Sequence, residues 1–279
     1  MHFTKLHGCG NDYLVIEESD CPGRDLSELA RSMCDRHFGA GADGIATVKQ
    51  ADYSQEDYDV RIFNPDGSEA EVSGNGTRCV AGYLYYSKQQ TRSPLRLHTL
   101  SGVKTFNLIQ NEGLKYIFQT DMGAPRLKPA EIPINVSATD SVIDHALIVE
   151  NKTFQITSLS MGNPHCTIFV QDFDQIDIEA TGRKLESHVA FPNRTNVEFV
   201  RIIDRSNIEA RFYERGAGIT LSSGSSSCAS VVASILNGFT DRRVHVHTLA
   251  GILVVDWQEG GSVLLTGPTE VVYDGSWLE

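Results

Sequence analysis

Two Ser-Gly turns carry the residues best placed for chemistry. In RIFNPDGSEAEVSGNG, beginning at Arg61, and RFYERGAGITLSSGSS, beginning at Arg211, a strand-like run passes through a turn into small residues and then a helical stretch. Ser73-Gly74 and Ser223-Gly224 sit where each helix should open. The first backbone N–H groups of a helix have no partner inside it, so each turn is expected to face an anion. Two such ends would hold one carboxylate only where two halves of a molecule meet, a common location for small-molecule sites. Around the turns lie Asn11, Asn64, Asn75, Asn163, His165, Asn196, Glu214 and Arg215, nearly all beside Gly or Pro at the end of a strand pattern. Such a set can orient a polar substrate, and His165 or Glu214 can move a proton. Asn and Gly also gather in turns for conformational reasons alone. A lone histidine is commonly structural, and an adjacent Glu-Arg is commonly a solvated pair. His165, Glu214 and Arg215 gain weight because they lie on segments that the sequence repeats.

That repeat organises the chain. Arg61 and Arg211 head the two echoed segments, 150 residues apart, and at the same offset Phe63 matches Tyr213, Ser73 matches Ser223 and Gly74 matches Gly224. A second echo pairs FTKLHGCGN (3–11) with ITSLSMGN (156–163) after one gap, each Gly-Asn leading into an apolar strand run. Two similar halves follow. Alternating β-branched and aromatic residues predict strands over 3–6, 58–63, 95–99, 104–109, 114–119, 197–203, 208–213 and 252–257, most of them antiparallel. Short turns are expected at 110–113, 204–207 and 258–261. Helices are few. Asp25 can cap a helix whose Leu26, Leu29, Ala30, Met33 and Cys34 share a face. Two more are expected over about 76–87 and 226–236, and the second, apolar or small on all sides, should be buried. The segment TDMGAPRLKPAEIP (120–133), with three prolines and a glycine, marks the boundary. The expected domains are residues 1–120 together with 262–279, and residues 121–261.

Composition narrows the class. The 279 residues, 41% hydrophobic and 22% charged, form an ordinary globular protein with a core. A formal net charge of −12 argues against binding nucleic acid, which needs Lys and Arg to neutralise phosphates. The N-terminal MHFTKLHGCG lacks a basic and an apolar region, and no apolar run is long enough to span a bilayer, so a cytoplasmic location without membrane contact is expected. The six cysteines show neither CxxC nor Cys/His ligand spacing and are read as reduced thiols without metal.

At these residues the sequence resembles the diaminopimelate epimerases. The matching stretches are FTKLHGCGNDYLVI, HFGAGADGI, FNPDGSEAEVSGNGTRC, SMGNPHCTIFV, FPNRTNVEFV and YERGAGITLSSGSSSCA, with TDMGAP at the interdomain crossing and LLTGPTEVVYDG near the end. They cover almost the whole chain in the family's order. The resemblance implies an α/β (α+β) fold of two pseudo-symmetric domains, each a curved, mostly antiparallel sheet around a central helix, with the active site between them. It also implies a homodimer, and an isomerase of lysine biosynthesis that uses no metal, pyridoxal phosphate or other cofactor to interconvert LL- and meso-diaminopimelate.

In that family two cysteines act from opposite faces of the α-carbon, one removing a proton and the other returning one. Carried over by position, they fall on Ser73 and Ser223. His165 and Glu214 match the groups flanking the pair. Asn11, Asn64, Asn163, Asn196 and Arg215 match substrate contacts, and Gly74, Asn75, Gly224 and Ser225 match the carboxylate-holding turns. Gly44 stands where the family often has Gln, which would remove one polar contact. A thiol titrates near 8.5 and a serine hydroxyl far higher, so an unassisted serine pair makes a poor base. Assistance would come from His165 and Glu214. Three readings of the serines stay open: a family enzyme with its cysteines exchanged, a natural branch with related isomerase or lyase chemistry, and a non-catalytic amino-acid-binding relative.

Overall fold

The computed structural model describes residues 1–51, 56–71, 73–137, 140–259 and 261–278. The chain divides into two compact units, Met1–Asp121 with Thr266–Glu279, and Met122–Leu265. The first holds β1 (His2–Gly8), β2 (Asn11–Glu17), α1 (Leu26–Cys34), β3 (Gly44–Gln50), β4 (Tyr58–Phe63), β5 (Glu69–Ala70), α2 (Gly74–Ser87), β6 (Leu95–Thr99), β7 (Gly102–Glu112) and β8 (Lys115–Asp121). The second holds β9 (Val142–Val149), β10 (Lys152–Ser160), β11 (Pro164–Phe169), α3 (Ile178–Glu186), β12 (Asn196–Asp204), β13 (Asn207–Glu214), β14 (Gly218–Thr220), α4 (Gly224–Leu236), β15 (Arg243–Thr248) and β16 (Gly251–Trp257). A last strand, β17 (Val263–Ser276), begins in the second unit and returns to the first. Val263 still belongs to the second unit, exchanging backbone hydrogen bonds with Met122 and Gly123 at 2.8 and 2.9 Å.

Within the first unit β17 pairs with β1, β1 with β2, β2 with β3, β3 with β4, β4 with β6, β6 with β7, β7 with β8 and β8 again with β17, which closes an eight-strand barrel. Helix α2 runs through it, touching β1, β2, β3, β4, β6, β7 and β8. The second unit repeats the order: β9–β10–β11–β12–β13–β15–β16 curve around α4. Each helical crossover makes a parallel pair, β2 with β3 and β4 with β6 in one unit, β11 with β12 and β13 with β15 in the other. The remaining pairs whose register is defined are antiparallel.

The central helices are buried for reasons written in their sequences. Helix α2 places Cys79, Val80, Ala81, Tyr83 and Leu84 in a core with Leu6, Val15, Ile62, Leu97 and Phe106. Helix α4 is so short of bulk that serines line it. Ser227, Ser230 and Ser234 each return a hydroxyl to the carbonyl four residues earlier, at 2.6, 2.8 and 2.7 Å, so those polar groups are satisfied without water. Outside the first barrel, α1 is capped by Asp25, which accepts from the Ser27 and Glu28 amides, and packs Leu29, Ala30 and Met33 against Leu14, Ile16 and Ile45.

The expected strands lie inside observed ones, except that β8 starts at Lys115, one residue late. The hairpin expected at 110–113 is displaced: β7 runs to Glu112, and the turn is Gly113-Leu114 with Gly113 at φ +62°. The turn expected at 258–261 includes residue 260, outside the described residues. Helix α3 was not anticipated from the pattern.

Candidate functional site

In the first unit, Cys9 and Gly10 take φ values of +50° and +81°, a two-residue turn that brings Asn11 onto the first position of β2 opposite Gly8. Asn11 donates through Nδ2 to Asp43 Oδ2 at 2.9 Å and accepts through Oδ1 from Asn75 Nδ2 at 3.3 Å. Asn75, on the first turn of α2, accepts in turn from the buried Arg78, whose Nε donates to the Pro268 carbonyl at 3.0 Å. Ser73 is the N-cap of α2. Its backbone is extended (φ −129°, ψ 121°), and its Oγ accepts from the Gly76 amide at 3.0 Å. The Thr77 amide bonds to the Ser73 carbonyl. The amides of Gly74 and Asn75 therefore open the helix with no acceptor inside it, as an anion site requires.

A second residue reaches Ser73. The Tyr13 hydroxyl lies 2.8 Å from Ser73 Oγ. Its ring leaves no room beside it: a Cβ on Gly44 would lie 2.7 Å from Tyr13 Cε1 and 2.8 Å from the Phe63 carbonyl, and a Cβ on Gly76 3.1 Å from the same ring. A side chain at position 44 would therefore require the Tyr13 ring and the Phe63 backbone to shift. Asn64 lies in the β4–β5 turn, where Nδ2 donates to Ser68 Oγ at 3.0 Å.

In the second unit Ser223 occupies the matching place as N-cap of α4, again extended (φ −142°, ψ 130°), and Oγ accepts from the Ser226 amide at 3.4 Å. Ser227 bonds to the Ser223 carbonyl, leaving the amides of Gly224 and Ser225 at the helix opening. Ser223 differs from Ser73 in its partner, for Oγ donates to Glu214 Oε2 at 2.8 Å. Glu214 Oε1 accepts from Thr220 Oγ1 at 2.6 Å, so the carboxylate is held from both ends. Arg215, exposed on the following turn, donates through Nη1 to the Asn193 carbonyl at 3.1 Å, and its backbone is held by others. Its amide donates to Asn196 Oδ1 at 2.9 Å, and the neighbouring Gly216 amide donates to the buried Glu186 at 2.8 Å. Asn196 Nδ2 donates to the Pro164 carbonyl at 3.0 Å, which ties Arg215 to the start of β11.

His165 and Glu214 have different partners. Glu214 is on Ser223, whereas His165, fully buried, places Nδ1 2.6 Å from Glu198 Oε1 and Nε2 2.9 Å from Asn163 Oδ1. An amide oxygen only accepts, so Nε2 carries a proton toward Asn163. One further proton is held between Nδ1 and the Glu198 carboxyl. Burial pushes the Glu198 carboxyl above its ordinary range, against the opposing pull of His165. Parallel pairing of β11 with β12, which sets His165 beside Asn196 and Thr167 beside Glu198, creates this arrangement. Glu198 and Tyr13 were not singled out from sequence. The signal for Glu198 was present as a lone acid in the apolar run NVEFV, while Tyr13 reads as ordinary core in NDYLVI.

Two cavities in the described residues lie elsewhere. One of about 600 Å³ is lined by Glu18, Arg24, Lys49 and Arg61 among others, and one of about 470 Å³ by Glu179, Glu186, Arg194 and Tyr213 among others; neither includes Ser73 or Ser223. Among the described residues no three His, Cys, Asp or Glu side chains cluster as metal ligands, and no helix is long and apolar enough to cross a membrane.

Comparison with known proteins shows the family and the fold. The family model described as diaminopimelate epimerase matches residues 3–128 and 157–272, segments that each hold one copy of the repeat. A diaminopimelate epimerase from Pelotomaculum thermopropionicum is 45% identical over 279 residues, covering 99% of each chain. Diaminopimelate epimerase 1 from a Nostoc species is 43% identical over 280 residues, again 99% of each. Solved structures show the same fold at low identity. A PhzF-family phenazine biosynthesis protein from Bacillus anthracis has TM-score 0.71 at 14% identity, over 100% of this chain and 99% of the other. A hydroxyproline epimerase from Agrobacterium vitis with bound trans-4-hydroxy-L-proline has TM-score 0.67 at 16% identity, over 99% and 90%. With two matched segments spanning most of its length and identity above 40% to full-length members, the chain belongs to the diaminopimelate epimerase family.

Proposed function

We propose that this protein is a cofactor-independent isomerase that interconverts LL- and meso-diaminopimelate for lysine biosynthesis, with Ser73 and Ser223 at its two proton-transfer positions. The observation that carries the reading is identity of 45% over the full length to an enzyme named for that reaction. One serine takes the α-proton while the other returns a proton to the opposite face, so the centre inverts. Negative charge that develops on the α-carboxylate calls for hydrogen-bond donors, a role we assign to the open amides of Gly74, Asn75, Gly224 and Ser225. Glu214 is the acceptor that makes Ser223 a base, drawing its hydroxyl proton at 2.8 Å. His165 fixes the orientation of Asn163 and is a positioning residue. Asn11, Asn64, Asn163 and Asn196 belong to the substrate-binding set, Asn196 by holding the turn on which Arg215 meets a carboxylate. We place the enzyme in the cytoplasm as a homodimer, in line with the family resemblance.

Calorimetry with each diastereomer tests this directly. Heat is expected with LL- and meso-diaminopimelate, and Arg215→Ala should weaken binding by at least about tenfold, since a carboxylate loses its charged donor. Absence of heat with both diastereomers contradicts the assignment.

A further inference from the structure

The two serines are alike as helix caps and unlike in their partners, and the difference assigns a role to Tyr13. Ser73 Oγ has one proton and two lone pairs, of which one lone pair accepts from the Gly76 amide at 3.0 Å. The Tyr13 hydroxyl, 2.8 Å away, takes one of the two remaining valences. A phenol both donates and accepts. If Tyr13 donates, the Ser73 proton is free to leave toward a substrate; if Ser73 donates, a lone pair is free to receive one. Rotation of two O–H bonds thus decides whether Ser73 presents its proton or a lone pair, and when it receives a substrate proton its own passes to the Tyr13 oxygen, which must be in the ionised form left by the opposite direction. Ser223 differs, because its Oγ donates its proton to Glu214 Oε2. It presents a lone pair until Glu214 gains a proton.

We propose, resting on the function proposed above, that Tyr13 is the positioning residue and proton reservoir of Ser73. In the direction that begins at Ser223, the Cα–H bond breaks and its electron pair stays on the substrate α-carbon and carboxylate. The proton goes to Ser223 Oγ as the proton of Ser223 passes to Glu214 Oε2. On the other face the Ser73 proton forms the new Cα–H bond while the phenolic proton of Tyr13 passes to Ser73 Oγ, so the charge rests on the Tyr13 oxygen. After product leaves, Glu214 loses its proton to solvent and Tyr13 regains one. A phenol titrates near 10, well below an aliphatic hydroxyl, so charge left on Tyr13 is less costly than an alkoxide on Ser73.

Packing alone explains a ring at position 13, for Tyr13 is 5% exposed and lies in the core around α2. It does not explain the aim of the hydroxyl. Gly44 and Gly76 close on the ring from two elements, β3 and α2, so the hydroxyl is held at Ser73. Phenylalanine fills the same space without the oxygen, which makes Tyr13→Phe a clean test.

The test has two readouts. In a Ser73→Cys background, the pH dependence of alkylation of the introduced thiol by iodoacetamide, followed by peptide mass spectrometry, reports the coupling without any turnover. Adding Tyr13→Phe should raise the thiol pKa by about one unit or more, roughly a tenfold loss of thiolate at a pH below it. An unchanged pKa overturns the proposal. In the Ser73 protein, Tyr13→Phe should slow α-proton exchange with D2O at least tenfold for one diastereomer and spare the other, because only the face served by Ser73 is affected. Equal slowing of both shows a general structural role and overturns the relay. Exchange absent with both diastereomers even before Tyr13 is changed, alongside the thiol shift, overturns the proposed function and the relay with it, and leaves Tyr13 only a hydrogen-bonded neighbour of position 73.

Discussion

At the scale of single residues, proton affinity decides what each serine can do. Ser223 donates to a carboxylate that Thr220 also holds, at 2.6 Å, and under the proposed function that carboxylate makes it a base. Glu214→Gln keeps the shape and removes the charged acceptor. Loss of a positioned general base is expected to slow α-proton exchange by about a hundredfold or more while binding measured by calorimetry changes little. Equal loss of binding and exchange would place Glu214 in substrate binding instead. Much at this scale was legible in sequence. Asn11, Asn163 and Arg215 stand beside Gly or Pro at strand ends, as the Ser-Gly turns do, and Asn196 opens β12. The division between Glu214 and His165 was not legible, because it depends on which residue faces which across the parallel pair β11–β12. The role of Gly44 was equally hidden: only the ring of Tyr13, brought against it by parallel pairing of β2 with β3, shows what a side chain there would displace.

At the scale of elements, one ionic network fixes the part of the site that precedes α2. Asp12 on β2 receives Lys5 Nζ of β1 at 2.8 Å and Arg36 Nη2 at 2.8 Å, and Arg36 also reaches Asp43 at 2.8 Å. Asp43 then takes Asn11 Nδ2 at 2.9 Å, so two strands and the chain after α1 are tied to Asn11, which we propose contacts substrate. Burial alone would raise the Asp12 carboxyl, but hydrogen bonds and charge from Arg36 and Lys5 outweigh it and take the group from 3.8 to about 2. Since the folded value is the lower one, the stabilisation is present above about pH 4 and lost as pH falls toward 2, an effect of roughly 2 kcal/mol. Thermal melts should fall across that window, and Asp12→Asn should lower the melting temperature at pH 7 while flattening the acid limb. A variant with the same acid limb as the parent would show that Asp12 is not its source. Sequence exposed α1 through the Asp25 cap and its apolar face, yet concealed α3. The reason is Gly182, a poor helix former in mid-helix, whose absent Cβ would meet the Tyr213 ring at 2.5 Å. Packing against β13 requires the residue that helix propensity disfavours. The displaced β7–β8 turn has a similar cause, since the polar run Gln110-Asn111-Glu112 reads as a loop but pairs with Ile117, Tyr116 and Lys115.

At the scale of the whole molecule, a duplicated unit accounts for both fold and chemistry. Asp25 and Asp177 cap α1 and α3, Ser73 and Ser223 cap α2 and α4, and each pair stands about 150 residues apart, as the two sequence echoes indicated. The repeat supplies two capped helix openings, each with a serine hydroxyl, one beside a phenol and the other beside a carboxylate. The central claim is that positions 73 and 223 are the two proton-transfer positions of an epimerase. Its most direct test is NMR of LL- and meso-diaminopimelate in D2O with the parent, each single Ser→Cys variant, and the pair Ser73→Cys with Ser223→Cys. A thiol titrating near 8.5 is a far better base and acid at neutral pH than a serine hydroxyl. The pair should therefore raise LL/meso interconversion by about a hundredfold or more over the parent, while each single change mainly speeds isotope exchange on its own face, a non-additive result. A paired variant that folds and binds diaminopimelate yet inverts neither diastereomer would contradict the claim.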